Sequence, residues 1–191
     1  MRISSPFLLL AFTIAWFLAG PGATAQASSV AADTLNKLDE QGLKQGWWRV
    51  SGPVADKPDY RAGALYEEGR YADNKRTGTW KRYWPNGRIR SEVTYLKGLP
   101  KGSYTTFYPD GSQEEQGSWD LDRNTGGFKR WYANGNLMQE FVFDAYGTRN
   151  GVQKYYHENG NLEVAVKVAH GKAKATLQRS YATSNVEATA R

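Results

Sequence analysis

The sequence contains no cysteine and only two histidines and two methionines in 191 residues. Without cysteine there is no disulfide, no thiol nucleophile, no zinc–thiolate site and no lipidation at an N-terminal cysteine. Histidine is confined to His157 and His170, which leaves little material for imidazole acid–base chemistry. Long apolar runs are scarce too, so nothing reads as a helical membrane protein with several spans. What is abundant is glycine, 20 residues, and aromatic side chains, 14% of the chain. That mixture favours strands and turns over helix, in a length suited to one domain. Lys and Arg exceed Asp and Glu by 25 to 19, a modest positive balance that favours solubility and weak attraction to anionic surfaces.

The one extended apolar run lies at the start. Arg2 supplies a thin positive region, Phe7 to Gly20 is almost unbroken apolar sequence, and Pro21-Gly22 ends it. Ala23-Thr24-Ala25 then gives the small-x-small pattern of a signal-peptidase site. Residues 1–25 therefore read as a signal peptide, with a retained N-terminal anchor as the alternative. Cleavage leaves a mature chain starting near Gln26, exported to the periplasm or the exterior, with no integral membrane span. Export excludes intracellular nucleic acid as a partner and leaves acidic proteins or envelope polymers.

Internal repetition is the strongest signal. Gly78-Thr79-Trp80-Lys81-Arg82-Tyr83-Trp84-Pro85-Asn86-Gly87 recurs as Gly102-Ser103-Tyr104-Thr105-Thr106-Phe107-Tyr108-Pro109-Asp110-Gly111. It recurs again as Gly126-Gly127-Phe128-Lys129-Arg130-Trp131-Tyr132-Ala133-Asn134-Gly135. A fourth copy, Gly151 to Gly160, keeps Tyr156, His157, Asn159 and Gly160 but has Gln153 at the first aromatic position. The offsets are 24, 24 and 25 residues. A degenerate earlier unit shows in Leu65, Glu68 and Tyr71, 24 residues before Ile89, Glu92 and Tyr95. Its opening strand is Gly46 to Val50, separated from Leu65 by an insertion holding Pro53 and Pro58.

Pro-Asn-Gly and Pro-Asp-Gly suit a three-residue hairpin loop, a type I turn followed by a left-handed glycine. The structural turn residues are Pro85, Asn86 and Gly87; Pro109, Asp110 and Gly111; Asn134 and Gly135; and Asn159 and Gly160. Outward from the loops, Tyr83 faces Ile89, Phe107 faces Gln113, Trp131 faces Leu137 and Tyr156 faces Leu162. Ile89, Val93 and Tyr95 share parity, the period-two pattern of a half-buried strand. One hairpin is marginal in water, but hairpins stacked edge to edge bury each other's apolar faces. The expectation is an all-β fold: an elongated single-layer antiparallel meander of tandem β-hairpin repeats, with about ten strands. Longer Gly-containing connections (97–101, 120–125, 145–150) join the hairpins. The domain reading is a polar linker over 26–42 and an array over 43–171, with a degenerate unit 43–77 and clear units 78–101, 102–125, 126–150 and 151–171. Residues 172–191 form a tail whose few apolar residues extend a last strand and then fray.

The candidates for chemistry are few. His157 occupies the slot of Trp84, Tyr108 and Tyr132, and His170 sits at a repeat boundary, so neither reads as catalytic. Glu92 and Glu140 are one repeat position in two copies, and Glu114-Glu115 is a local run; all read as a solvated strand face rather than as paired catalytic carboxylates. Asp120, Asp122 and Asn124 resemble the start of an oxygen-ligand calcium loop, although Thr125 and Trp131 stand where an EF-hand needs glycine and a bidentate glutamate. Aromatics interleaved with Lys and Arg either pack between repeats beneath basic stems or form a binding face for protein, glycan or peptidoglycan. The partner-binding candidates are the second aromatics Trp84, Tyr108 and Tyr132 with Arg82 and Arg130.

The repeated Gly-x-Trp-x-x-Tyr-Trp-x-Asn-Gly, followed by Ile or Leu and Glu, resembles the MORN-repeat variant of bacterial proteins grouped as the YwqK-type antitoxin family. The lead-in Asp39-Glu40-Gln41-Gly42-Leu43-Lys44-Gln45-Gly46-Trp47-Trp48 is similar to the opening of exported members. The resemblance covers roughly residues 36–171. It implies a β-hairpin array without catalytic residues or cofactor, used for protein or lipid contacts. The functional expectation is an exported, non-catalytic interaction or scaffold module of the cell envelope. An antitoxin-like neutraliser of a partner toxin and a glycan- or cell-wall-binding module are the alternatives.

Overall fold

The computed structural model describes residues 35–54 and 57–180. The expectations for the signal peptide, for most of the linker and for the end of the tail lie outside the described residues. Among the described residues there are twelve strands and no helix. They are β1 (Lys37–Leu38), β2 (Lys44–Ser51), β3 (Leu65–Ala72), β4 (Lys75–Tyr83), β5 (Ile89–Leu96) and β6 (Leu99–Phe107). There follow β7 (Gln113–Asp120), β8 (Arg123–Trp131), β9 (Leu137–Phe143), β10 (Gly151–Tyr156), β11 (Leu162–Ala169) and β12 (Lys172–Arg179). Each pairs antiparallel with its chain neighbours, giving one open sheet in sequence order. The all-β meander is therefore as expected, with β1 and β12 added to the ten anticipated strands. β1 lies inside the stretch read as linker, where Asn36 and Lys37–Leu38 pair along β2.

The loops behave as their sequences dictate. In the first clear hairpin Trp84 N donates to Arg88 O at 2.7 Å and Gly87 N to Trp84 O at 2.8 Å, a three-residue loop closed by Gly87 at φ 83°. The Asn86 side-chain oxygen accepts from Arg88 N at 3.0 Å, fixing the turn locally. Asp110, Asn134 and Asn159 do the same to Ser112, Asn136 and Asn161. The four anticipated cross-strand pairs, Tyr83 with Ile89, Phe107 with Gln113, Trp131 with Leu137 and Tyr156 with Leu162, all form.

Two expectations are corrected. The connections at 97–101 and 120–125 are tight two-residue turns, because Lys97 (φ 51°), Gly98 (φ 89°) and Leu121 (φ 62°) adopt the left-handed backbone that matches strand twist. Ile89 and Val93 do not share a face. Tyr83 pairs with Ile89 and Arg82 with Ser91, so Arg90 is an extra bulged residue that reverses parity. A wider bulge occupies each Gly-x-aromatic opening. Between Glu68–Lys81 and Arg70–Thr77, for example, Gly69 alone opposes residues 78–80, and Gly78 takes φ 65°.

Paired residues share a face, so the register sorts the side chains. One face carries the rings: Trp80, Val93 and Tyr104 run in register, and Phe128 stacks on Phe141 at 5.5 Å. Tyr71 meets Trp48 at 5.7 Å and Trp80 at 4.8 Å on the same side. Arg76 lies over Trp80 and Tyr95, and Arg149 over Phe141, so cationic stems shield rings that a single layer leaves uncovered. The other face is the more polar one, with Tyr83, Phe107, Trp131 and Tyr156 at its loop end, where the Tyr83 and Tyr156 hydroxyls meet Glu68 and Glu140. Across it runs a ladder of Glu68, Lys81, Glu92, Thr105, Gln116, Lys129, Glu140 and Lys154, each in register with the next.

Candidate binding groove

The second aromatics act first as links between repeats. Trp84 Nε1 donates to Phe107 O at 2.9 Å, Tyr108 Oη to Trp131 O at 2.8 Å and Tyr132 Oη to Tyr156 O at 2.8 Å. Each half-buried ring thus caps the end of the strand that opens the next hairpin, satisfying a carbonyl the loop leaves free. The sequence reading missed a fourth such link. Tyr60, inside the insertion and 5% exposed, donates to Tyr83 O at 2.6 Å. Its signal was the spacing, since Tyr60 and Gly63 stand 24 residues before Trp84 and Gly87.

Arg82 and Arg130 are likewise engaged. Arg82 Nε is 3.2 Å from Glu67, which also holds Arg76 at 2.7 Å. Arg130 reaches Glu114 at 3.2 Å and Glu115 at 3.5 Å. Burial, with the adjacent Glu114 charge, pushes the Glu115 carboxyl above its ordinary value against the pull of Arg130. Burial and then Glu115 raise the Tyr104 hydroxyl to about 12.

The calcium candidates are not gathered in an open loop. Asp120, at the end of β7, pairs with Lys101 at 3.3 Å; Asp122, within the tight Leu121-Asp122 turn, pairs with Arg123 at 3.3 Å; and Asn124 lies on β8 opposite Trp119. Among the described residues no group of three or more His, Cys, Asp or Glu side chains could hold a metal ion. Glu92 and Glu140 share the polar face but sit on β5 and β9, four strand spacings or about 19 Å apart, too far to flank one glycosidic bond. Glu140 is also committed: Lys154 at 2.8 Å and Tyr156 Oη at 3.0 Å hold its carboxyl below the usual range, the Lys154 contact first.

The polar face is hollowed. A groove of about 560 Å³ is lined by Ser103, Gln116, Gly117, Ser118, Gly127, Phe128, Lys129, Glu140, Phe141, Val142, Val152 and Lys154. A smaller hollow of about 110 Å³ adjoins it at Ser103 and is lined by Thr79, Glu92, Thr94 and Thr105. The residue after each repeat's opening glycine (Thr79, Ser103, Gly127, Val152) lines these hollows. From β4 to β10 the hollows cross six strand spacings, about 29 Å.

Three segments, residues 76–97, 125–145 and 149–166, match the repeat family described as MORN repeat variant. They fall on the β4–β5, β8–β9 and β10–β11 hairpins, and those three hairpins are similar to that repeat. Repeats of this family commonly serve as protein- or membrane-interaction modules and are not enzymatic. No curated protein matches the chain. Among solved structures it is similar to an S. aureus TarM mutant in complex with Fondaparinux, alpha-GlcNAc-glycerol and UDP, at 11% identity and a TM-score of 0.34, covering 52% of this chain and 20% of that one. A second TarM structure gives 12% and 0.34 with the same coverage, and a GtfA/B complex bound to UDP and GlcNAc gives 12% and 0.28 over 48% and 23%. The chain spans about a fifth of the length of these proteins, and likenesses at such scores carry no argument about activity. No helix among the described residues is long and apolar enough to cross a membrane.

Proposed function

We infer that this chain is an exported, non-catalytic interaction module of the cell envelope, holding a protein partner along its polar face. The observation that supports this reading is the groove, which repeats a similar lining position at each hairpin and so suits an extended or multivalent ligand. The ionisable side chains around it stand in ion pairs or alone, which suits recognition and leaves no nucleophile beside a base.

Two measurements test this. N-terminal sequencing of the protein recovered from the envelope fraction should start near Gln26. Crosslinking in that fraction, followed by mass spectrometry, should return a protein bound through residues of β6–β10. A single stoichiometric partner of toxin character would select the antitoxin alternative. Recovery of glycan alone would refute the protein-binding reading.

A further inference from the structure

Glycine in a strand interior weakens it, and elsewhere in this sheet its presence has a visible cause. Most of the glycines hold φ between 65° and 110°, which side-chain-bearing residues resist. Gly52, Gly69 and Gly117 have ordinary backbone, but a Cβ there would stand 2.3–2.8 Å from neighbouring atoms. Gly127 has neither reason. Its φ is ordinary, and a Cβ built on it meets nothing within 4 Å. The repeat places Thr79, Ser103 and Val152 at the same position, so the fold accepts a side chain there. What the missing side chain leaves open is the centre of the 560 Å³ groove.

Around that opening the lining is divided. Val142 and Val152, 50% and 41% exposed, stand on one side of Gly127. Ser103, Ser118 and Gln116 present hydroxyl and amide groups on the other. Lys129 and Lys154 bring two ammonium groups against the one carboxylate of Glu140, whose Oε1 is already taken by Lys154 and Tyr156. Lys129 is exposed and forms no ion pair among the described residues. The uncompensated charge in the groove is therefore positive. Phe128 and Phe141 stack on each other on the opposite face, and Tyr156, on the groove's own face, already gives its hydroxyl to Glu140.

We propose that Gly127 opens a subsite for an extended peptide segment of the partner, one that sets an aliphatic side chain between Val142 and Val152 and an acidic side chain against Lys129. The polar groups of Ser103, Ser118 and Gln116 then face the peptide main chain, giving affinity without sequence demand, while the aliphatic and acidic positions select. The proposal rests on the reading of the array as a protein-binding module and names the partner's chemistry.

The test is panning of a displayed random heptapeptide library against the full chain and against Gly127→Leu, whose longer side chain fills the opening. The chain as it stands should enrich peptides pairing an aliphatic residue with Asp or Glu, and Gly127→Leu should lower the affinity of a synthetic representative at least tenfold with its thermal midpoint preserved. Lys129→Glu should shift the enriched set from acidic to basic residues. Should Gly127→Leu fail to fold, Val142→Glu at a half-exposed position gives the same loss. No enrichment, enrichment without acidic residues, or unchanged binding by the filled variants would each overturn the proposal, as would a chito-oligosaccharide that binds and is displaced by Gly127→Leu. Envelope crosslinking separates the two readings: a protein partner retained by Gly127→Leu removes this subsite and leaves the module, whereas no protein partner for the unaltered chain removes both.

Discussion

The indole of Trp80 lies against Gly69 so closely that a Cβ at position 69 would sit 2.4 Å from the ring. Trp80 is 2% exposed and its Nε1 donates to Arg70 O at 2.9 Å, so the ring has no freedom to retreat. Gly69→Ala should therefore destabilise the chain by about 1–3 kcal/mol through overpacking. Gly127→Ala, where the space is open, should be neutral or raise stability by up to about 1 kcal/mol. Urea denaturation of both variants checks the contrast. Equal effects would mean the two glycines are not distinguished by what surrounds them.

The links between repeats make a second prediction. Tyr108→Phe and Tyr132→Phe each remove a hydroxyl that satisfies a carbonyl of the following hairpin, and at Tyr108 one that also meets Arg130. Each should cost about 1 kcal/mol. Because the array couples nearest neighbours, the loss should appear as faster amide exchange around the affected junction, not across the whole sheet. Trp84→Ser removes packing as well as the bond and should cost more. If instead it leaves the melting profile intact and only weakens partner capture, the ring belongs to a binding surface.

Much of this architecture is legible in sequence because the turn chemistry is local. Pro85-Asn86-Gly87 fixes its own loop, and the loop then fixes the Tyr83–Ile89 pair, so hairpin register follows from a tripeptide. The bulge at Arg90 was not legible, since an extra residue is absorbed without a marker residue and flips Val93 to the ring face. Tyr60 escaped for a related reason: its role depends on how an irregular insertion folds back over Gly52, where a Cβ would meet Arg61 O at 2.3 Å. The groove was least legible of all. Only the three-dimensional register shows that Gly127, Val142 and Lys129 meet, and that Gly127 lacks the steric excuse of Gly69.

The acid side of the stability curve should be set by Glu68 and Glu140. Burial opposes ionisation of Glu68, but Tyr83 Oη at 2.5 Å and Arg49 at 2.8 Å outweigh it, and Lys154 and Tyr156 act on Glu140. Both carboxyls are held lower folded than unfolded. Their contribution is therefore present above the unfolded value of about 4.3 and is lost as pH falls through the folded values. The cationic partners Arg49 and Lys154 are largely open to solvent, which holds each contribution to about 1 kcal/mol or less. Glu115 has the opposite sign: raised by burial and Glu114, it costs stability once ionised, so Glu115→Gln should be less destabilising at pH 7 than Glu140→Gln. Denaturation midpoints from pH 7 to 3 should show a shallower acid slope for Glu140→Gln and not for Glu115→Gln.

Gln153 offers the sharpest test of the ring face. It fills the slot that Trp80, Tyr104 and Phe128 hold in the other repeats, is 1% exposed, and its Oε1 has no partner. Its amide nitrogen reaches Asn150 O only at 3.4 Å, a weak bond for a group so deeply enclosed. A buried acceptor left unsatisfied costs about 1–3 kcal/mol, and the cross-strand neighbour Val166 presents apolar surface to whatever stands there. Gln153→Phe should therefore raise stability by about 1 kcal/mol or more, read as a higher urea midpoint with unchanged slope. Gln153→Leu, close in volume and without polar atoms, separates relief of the unsatisfied oxygen from ring stacking. A gain with phenylalanine alone credits the rings, a gain with both credits the oxygen, and a loss with both would mean the enclosed amide is satisfied.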